Sequence, residues 1–280
     1  MKIVKGQKVF ITGAGSGIGR STALAMAGLG ARLFLTDING QGLEETIAMI
    51  SKNGGQVCGS KVVDVRSYEQ VKAFAEQIQQ GFGPMDMVMN IAGIALFALV
   101  EDMTHEHWKK VIEVDLWGPI HVIESLVPEM VRAQSGHLVN VSSLAGLIGL
   151  PWHAAYSASK AGLLRLSEVL RQDLKQHKIG VTVVCPGAVE TPLKQSVEIL
   201  GVDLEREDVK EVKRRFSEHA VPPEKVAQQI IRAIEKNQFL VITSLDVRFL
   251  YFCKHHFPWL YHYVLDYIGN LLNSGRYPEK

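Results

Sequence analysis

The sequence predicts an α/β fold, a doubly wound sheet of about seven parallel strands with helices on both faces. Three observations carry this. Short apolar runs alternate with amphipathic stretches along most of the chain. The runs are continuously apolar, as strands buried on both faces must be. The chain's 280 residues are 47% hydrophobic and 21% charged, enough to bury a sizeable core. No linker rich in Gly, Ser or Pro and no internal repeat divides the chain, so residues 1–280 read as one domain.

The elements follow in order. Residues 9–12 form a first β-type run and 17–29 (GIGRSTALAMAGL) a first helix. Residues 32–36 (RLFLT) read as the second strand and 42–52 as the second helix. Further strands are expected at 57–63 and 87–90, with a helix at 68–80 between them. A long helical region covers 104–134, where Pro119 and Pro128 work against an unbroken helix. Residues 137–142 (HLVNVS) are the next strand and 155–176 a long helix. A strand at 181–185, a helix at 223–236 and a strand at 239–243 complete the alternation. Residues 193–219 are a charge-rich excursion with helical spacing.

Composition excludes several functions. Lys and Arg number 30 against 29 Asp and Glu, so no basic excess exists to neutralise nucleic-acid phosphates. Cys58, Cys185 and Cys253 are too few and scattered for a disulfide framework or zinc site, which fits a reducing compartment. His105 and His107 have no cysteine or second pair beside them, so no metal site is expected. Lys5, Gln7 and Lys8 interrupt the opening, against an export signal. No uncharged apolar stretch reaches the roughly 18 residues of a spanning helix. A cytoplasmic location is expected.

Thr12-Gly13-Ala14-Gly15-Ser16-Gly17-Ile18-Gly19 lies between the first strand and first helix. Glycines let the backbone approach a pyrophosphate there, and the helix N-terminus supplies N–H donors. Asp37 follows the second strand, 18 residues past Gly19. A carboxylate there can accept hydrogen bonds from the adenosine ribose and repels the extra phosphate of NADP, so NAD is the expected cofactor. No basic residue at Ser16 or Ile38 offsets that repulsion. Tyr156 and Lys160 stand four apart and share a helix face. A free phenol, with a pKa of about 10, is a poor base, and a neighbouring ammonium should lower it. Ser143 ends the preceding strand, where it can hydrogen-bond a substrate oxygen.

Taken together, TGAGSGIG at 12–19, Asp64-Val65, NIAG at 90–93, VNVSS at 139–143, YSASK at 156–160 and PGAVETP at 186–192 resemble the short-chain dehydrogenase/reductase family, in its order and spacing over about residues 5–245. The resemblance implies a Rossmann-type domain with a catalytic core at about 5–245 and a C-terminal extension at 246–280. It implies that Tyr156 is the general acid/base, that Lys160 depresses its pKa and holds the nicotinamide ribose, and that Ser143 orients the substrate oxygen. Asp64 and Val65 would border the adenine. Asn90, with Ala92 and Gly93, would support the cofactor edge. Pro186, Gly187, Val189 and Thr191 would hold the carboxamide side. One position departs: where the family commonly has asparagine, about forty residues before the tyrosine, this chain has Asp115. Asp115 can keep the backbone role, and its charge would stabilise the lysine cation while opposing a tyrosinate.

Ile94, Leu96, Phe97, Leu144, Leu147 and Ile148 are apolar, and Trp152 and His153 precede Tyr156. They suggest a small hydrophobic alcohol or ketone as substrate, with core packing as the competing explanation. The leading expectation is NAD(H)-dependent interconversion of a secondary alcohol and a ketone. The alternatives are a dinucleotide-binding regulatory or scaffold protein without turnover, and an NADPH-dependent carbonyl reductase. A homodimer or homotetramer is expected through the helices at 104–134 and 155–176. The extension at 248–272 is dense in aromatics interleaved with Arg248, Lys254, His255 and His256. It is expected to pack on a neighbouring subunit, to close over the cleft, or to make a peripheral membrane contact. Residues 276–280 read as a loose end.

Overall fold

The structure, a computed structural model, describes residues 3–191, 197–201 and 220–274. Seven parallel strands form one sheet in the order β3-β2-β1-β4-β6-β7-β9. These are β1 (Lys8–Thr12), β2 (Arg32–Asp37), β3 (Gln56–Val62), β4 (Met87–Asn90), β6 (Gly136–Val141), β7 (Ile179–Cys185) and β9 (Leu240–Ile242). The order reverses between β1 and β4, which opens a crevice at the carboxyl ends of those two strands.

Strand alternation divides the core. Val9, Ile11, Leu33, Leu35, Met87 and Met89 face one side with α1 (Gly17–Gly28), α2 (Gly40–Lys52) and α8 (Pro223–Glu235). Phe10, Phe34, Val88 and Leu138 face the other, against α3 (Tyr68–Phe82) and α5 (Gly118–Ala133). Both faces are covered, so the strands read as unbroken apolar runs.

The long helical region at 104–134 is interrupted. It consists of α4 (His105–Ile112), a wide turn at Glu113–Trp117 and α5. Pro119 has no N–H and cannot continue the ladder. The N–H of Gly118 instead reaches back to the carbonyl of Glu113, which widens the turn by one residue. Asp115 is thereby turned inward, fully buried. Gly118 is required at this point, because a Cβ would lie 2.8 Å from the Val65 side chain. The role of His107 is structural, since it completes a capping box with Thr104 at the start of α4.

One expectation is corrected. Part of the excursion at 193–219 is a strand, because Glu198–Ile199 (β8) pairs in parallel with Leu96–Phe97 (β5). Pro192, residues 193–196 and 202–219, and residues 276–280 lie outside the described residues. The extension forms two helices, α9 (Leu245–His256) and α10 (Pro258–Ser274). They pack against the segment that follows β6: Val247, Cys253 and Tyr261 are buried with Leu147 and Ile148. No described helix is long and apolar enough to cross a membrane.

Candidate active site

The loop after β1 closes only with glycine at its tightest points. Gly13 has φ +69°, and a Cβ there would meet the Ala92 backbone at 2.8 Å. A Cβ on Gly19 would meet the Gly13 carbonyl at 1.9 Å. Ser16 caps α1 from an extended backbone, with no side-chain bond to the first turn and no acidic residue within it. The first N–H groups of α1, through Gly17, Ile18 and Gly19, therefore present the donors and dipole end that suit a pyrophosphate. The loop itself, residues 13–19, carries only glycine, alanine, serine and isoleucine, so its residues fit a dinucleotide.

Asp37, at the end of β2, reaches the same loop. Its Oδ2 accepts from Gly15 N at 2.8 Å and its Oδ1 from Asn39 N at 2.8 Å. Arg20, which no sequence motif singles out, donates to Gly15 O of the loop and to Gly42 O (3.1 Å) and pairs with Glu45 (2.9 Å), which ties the base of the loop to α2. Asp64 lies past β3, paired with Arg66 at 2.6 Å, and that bond holds its carboxyl below the usual range. The Val65 carbonyl accepts from His121 at 2.9 Å.

Thr12 and Asn90 are buried and committed to the scaffold. Thr12 Oγ1 accepts from Ile91 N (3.0 Å) and Ala92 N (3.1 Å), which fastens the loop carrying Ala92 and Gly93 to the end of β1. Asn90 donates to Asn140 Oδ1 at 2.9 Å, Asn140 donates to Ser167 Oγ at 2.9 Å, and β4, β6 and α7 (Ala154–Asp173) are tied together. Pro186 O accepts from Leu144 N at 2.8 Å, and Gly187 N donates to Thr243 Oγ1 at 3.4 Å. Val189 bridges to Val221, and Thr191 ends that described stretch.

Ser143, Tyr156, Lys160 and Asp115 come together at the carboxyl ends of β4 and β6. Ser143 caps the short helix α6 (Leu144–Leu147), with Oγ accepting from Ala145 N at 3.2 Å. Tyr156 sits in the first turn of α7, and Lys160 one turn later has its Nζ 5.7 Å from the phenol ring centroid. Ser142 donates to Lys160 O at 2.8 Å and so fixes the turn that carries the lysine. Lys160 Nζ lies 3.6 Å from Asp115 Oδ1 and donates to Val141 O at 3.4 Å. Asp115 Oδ1 also accepts from Ile94 N at 2.9 Å.

The expected depression of the Tyr156 pKa is not what this geometry gives. Burial pushes the phenol above its ordinary value; Lys160 and a hydrogen bond with Ser143 work downward, while Asp115 and Cys185 add to the rise. Burial likewise pushes the Asp115 carboxyl up, against the pull of Lys160 and the Ile94 N–H. The Cys185 thiol is pushed up to about 12 by burial, so it is neutral and inert.

The apolar residues separate into wall and core. Leu147 and Ile148 are buried beneath α9 and α10, and Leu96 is buried with Ala98, Val111 and Ala155. These three pack rather than line a pocket. Half-buried Ile94, Met103 and Leu200 stand with Tyr156, and the Phe97 ring lies 6.0 Å from that phenol. His153 stacks on Phe97 at 3.9 Å with Nδ1 2.5 Å from Pro151 O. Burial lowers the His153 pKa to about 4, so it is a neutral wall. Leu200 escaped sequence reasoning because the β5–β8 pairing that delivers it spans about a hundred residues.

Residues 7–199 match the short chain dehydrogenase family. An oxidoreductase of Mycobacterium tuberculosis, SadH, is 33% identical over 250 residues, covering 89% of this chain and 90% of that one. The 3-oxoacyl-(acyl-carrier-protein) reductase FabG of Thermotoga maritima is 36% identical over 194 residues, covering 69% of this chain and 78% of its own. Among solved structures, a short-chain dehydrogenase/reductase from Burkholderia phymatum in complex with NAD superimposes with TM-score 0.82 at 27% identity, covering 93% and 96% of the two chains. A variant of actinorhodin polyketide ketoreductase with NADPH gives 0.79 at 25% identity, covering 88% and 99%. The seven-stranded parallel sheet, the glycine loop on α1 and the sequence match agree: this chain is an oxidoreductase that belongs to the short-chain dehydrogenase family.

Proposed function

We propose that this protein interconverts a hydrophobic secondary alcohol and the corresponding ketone with NAD(H). The observation that carries this reading is the convergence of Ser143, Tyr156 and Lys160 beside the glycine loop and the Ala92–Gly93 turn. The nicotinamide, when bound, would supply the hydride acceptor or donor. The residues of the glycine loop and Asp37 would hold the adenosine and pyrophosphate end, with Thr12 supporting the Ala92–Gly93 turn from below. Lys160 would hold the nicotinamide ribose. Tyr156 gives the proton to the carbonyl oxygen in reduction and takes it from the hydroxyl in oxidation. Ser143 positions that oxygen through its hydroxyl. Ile94, Phe97, Leu200 and neutral His153 offer an apolar wall, which supports a hydrophobic substrate.

The preference for NAD rests on Asp37, whose carboxylate is fixed against Gly15 N at the edge of the loop. A 2′-phosphate would bring a second negative charge to that edge. A carbonyl reductase using NADPH is the competing reading. A panel of apolar alcohols and ketones, followed at the absorbance of the reduced nicotinamide with each cofactor, tests both points. Turnover with NAD at a catalytic efficiency well above that with NADP is expected; equal efficiencies would reject the cofactor assignment. No turnover across the panel would favour a regulatory dinucleotide-binding protein. We further propose a homodimer or homotetramer through the surfaces of α5 and α7. Trp117, just before α5, and Val169 on α7 are about half exposed, which supports a covered face, and light scattering reads the mass directly.

A further inference from the structure

Resting on the assignment of Tyr156 as the proton-transfer group, we propose that Asp115 is a positioning residue that holds Lys160 by direct carboxylate–ammonium contact, and that its charge restrains how far Lys160 can favour the tyrosinate.

The site is built for such a contact. Asp115 is 0% exposed and is brought inward by the wide turn at Glu113–Trp117. Its Oδ1 faces Lys160 Nζ at 3.6 Å and takes the Ile94 N–H at 2.9 Å, while Oδ2 has no hydrogen-bond partner among the described residues. Gly93 makes room for the pair: a Cβ there would lie 3.0 Å from Asp115 Oδ1 and 3.1 Å from Lys160 Nζ. The turn after β4 therefore lies over the two charges.

Charge counting gives the consequence. An ammonium and a carboxylate together carry no net charge. Ionising Tyr156 beside that pair places one net negative charge in a buried site, which is costly. With a neutral side chain at position 115 the same ionisation would leave the cluster neutral. Among the described residues, the other titratable groups facing Tyr156 do not change this count. Cys185 stays a thiol to about pH 12, and His153 is neutral above about pH 4. Asp115 thus keeps Tyr156 a phenol, the form that donates a proton to a carbonyl oxygen, over a wider pH range. The equilibrium between alcohol and ketone is untouched; the pH range in which each direction runs is what moves.

The test is an ultraviolet pH titration of tyrosinate absorbance in the full chain, which needs neither cofactor nor substrate. The chain has 7 tyrosines, so the Tyr156 signal is taken as the difference between each protein and the same protein carrying Tyr156→Phe. Asp115→Asn keeps an acceptor for the Ile94 N–H and removes the charge. Its Tyr156 should ionise at least about one pH unit below that of the unaltered chain, the usual effect of one nearby charge. The pH limb of turnover should move the same way in both reaction directions. Asp115→Ser is the second variant, smaller and uncharged, should the asparagine variant not fold. An unchanged or raised midpoint in whichever variant folds overturns the proposal. So does failure of both to fold while Asp115→Glu folds and is active, because the carboxylate would then serve folding alone. Failure of the underlying assignment reads differently: Tyr156→Phe would keep its turnover, whatever the titration gives.

Discussion

A tyrosine can serve as acid and base in turn only if its surroundings hold it between extremes, and Tyr156 is pulled both ways. Burial and Asp115 disfavour the phenolate; Lys160 and Ser143 favour it. Removing the phenol oxygen removes the group on which those forces act. Tyr156→Phe should lower turnover at least ~100-fold, the low end for loss of a positioned acid/base, with cofactor affinity within a few-fold of normal. Single-turnover kinetics and fluorescence titration with NADH measure the two quantities separately. Because the ligand-free phenol sits above its ordinary value, the oxidation rate should still be rising with pH through the neutral range, while reduction should lose rate only on the alkaline side. Asp37 is the second residue whose charge can be read directly. Asp37→Ala should reduce the preference for NAD over NADP by about tenfold or more, as expected for one charge–charge contact near a surface, and should loosen the loop through the lost Gly15 N–H bond. An unchanged ratio of catalytic efficiencies would show that the carboxylate does not discriminate.

At the scale of elements, polar groups buried between strands and helices set the frame. His137 on β6 is 1% exposed, with its Nε2 2.8 Å from Thr182 Oγ1 on β7. Burial, assisted by the positive charge of Arg171, lowers its pKa to about 3. Between pH 6.5 and about 3 the unfolded chain therefore binds a proton that the folded chain does not, so this contribution to stability is whole above pH 6.5 and is lost as pH falls. His137→Gln cannot titrate. Denaturant unfolding should find it weaker at pH 7 by about 1 kcal/mol for the lost hydrogen bond, yet with about 2 kcal/mol less loss than the unaltered chain between pH 7 and pH 5. Parallel pH dependence in the two proteins would refute the assignment. Ties of this kind also mark where the sequence stopped being informative. The succession of strands and helices and the glycine loop were legible because period and local spacing encode them, and Ser143, Tyr156 and Lys160 because they recur in order along the chain. The Asn90–Asn140–Ser167 chain was not, since its members are 50 and 27 residues apart and each polar side chain alone reads as surface. Pro119 gave warning of a break in the helix at 104–134. That the break would turn Asp115 inward follows only from the Gly118 N–H to Glu113 O bond.

For the whole molecule, the two C-terminal helices join the reactive centre to the surface. Their inner side is spent on the segment after Ser143. Lys254 Nζ donates to Leu147 O at 2.6 Å, Tyr261 OH accepts from Gly149 N at 3.2 Å, and Trp152 Nε1 donates to Asn273 Oδ1 at 3.0 Å. Removing everything after Thr243 would strip the cover from Leu147 and Ile148, and should raise the Michaelis constant whatever the outer side does. Truncation alone therefore cannot separate a lid from an anchor. The outer side can be altered by itself. Leu245, Phe249 and Phe252 on α9, and Trp259, Tyr263 and Tyr267 on α10, recur at helical spacing and are 48–80% exposed. Trp and Tyr favour the headgroup boundary of a bilayer, and two short helices presenting such a face can lie in that plane without spanning it. The triple replacement Phe249→Ser, Trp259→Ser and Tyr263→Ser leaves the three inner hydrogen bonds in place. It should keep kcat and the Michaelis constant for a water-soluble alcohol within about twofold, since these side chains are solvent-facing surface. The unaltered chain should float with vesicles of phosphatidylcholine and phosphatidylglycerol, and the triple variant should stay behind. If the unaltered chain does not float, and the variant instead loses mass by light scattering, the aromatic face is a contact between subunits and the expectation of a peripheral membrane contact fails.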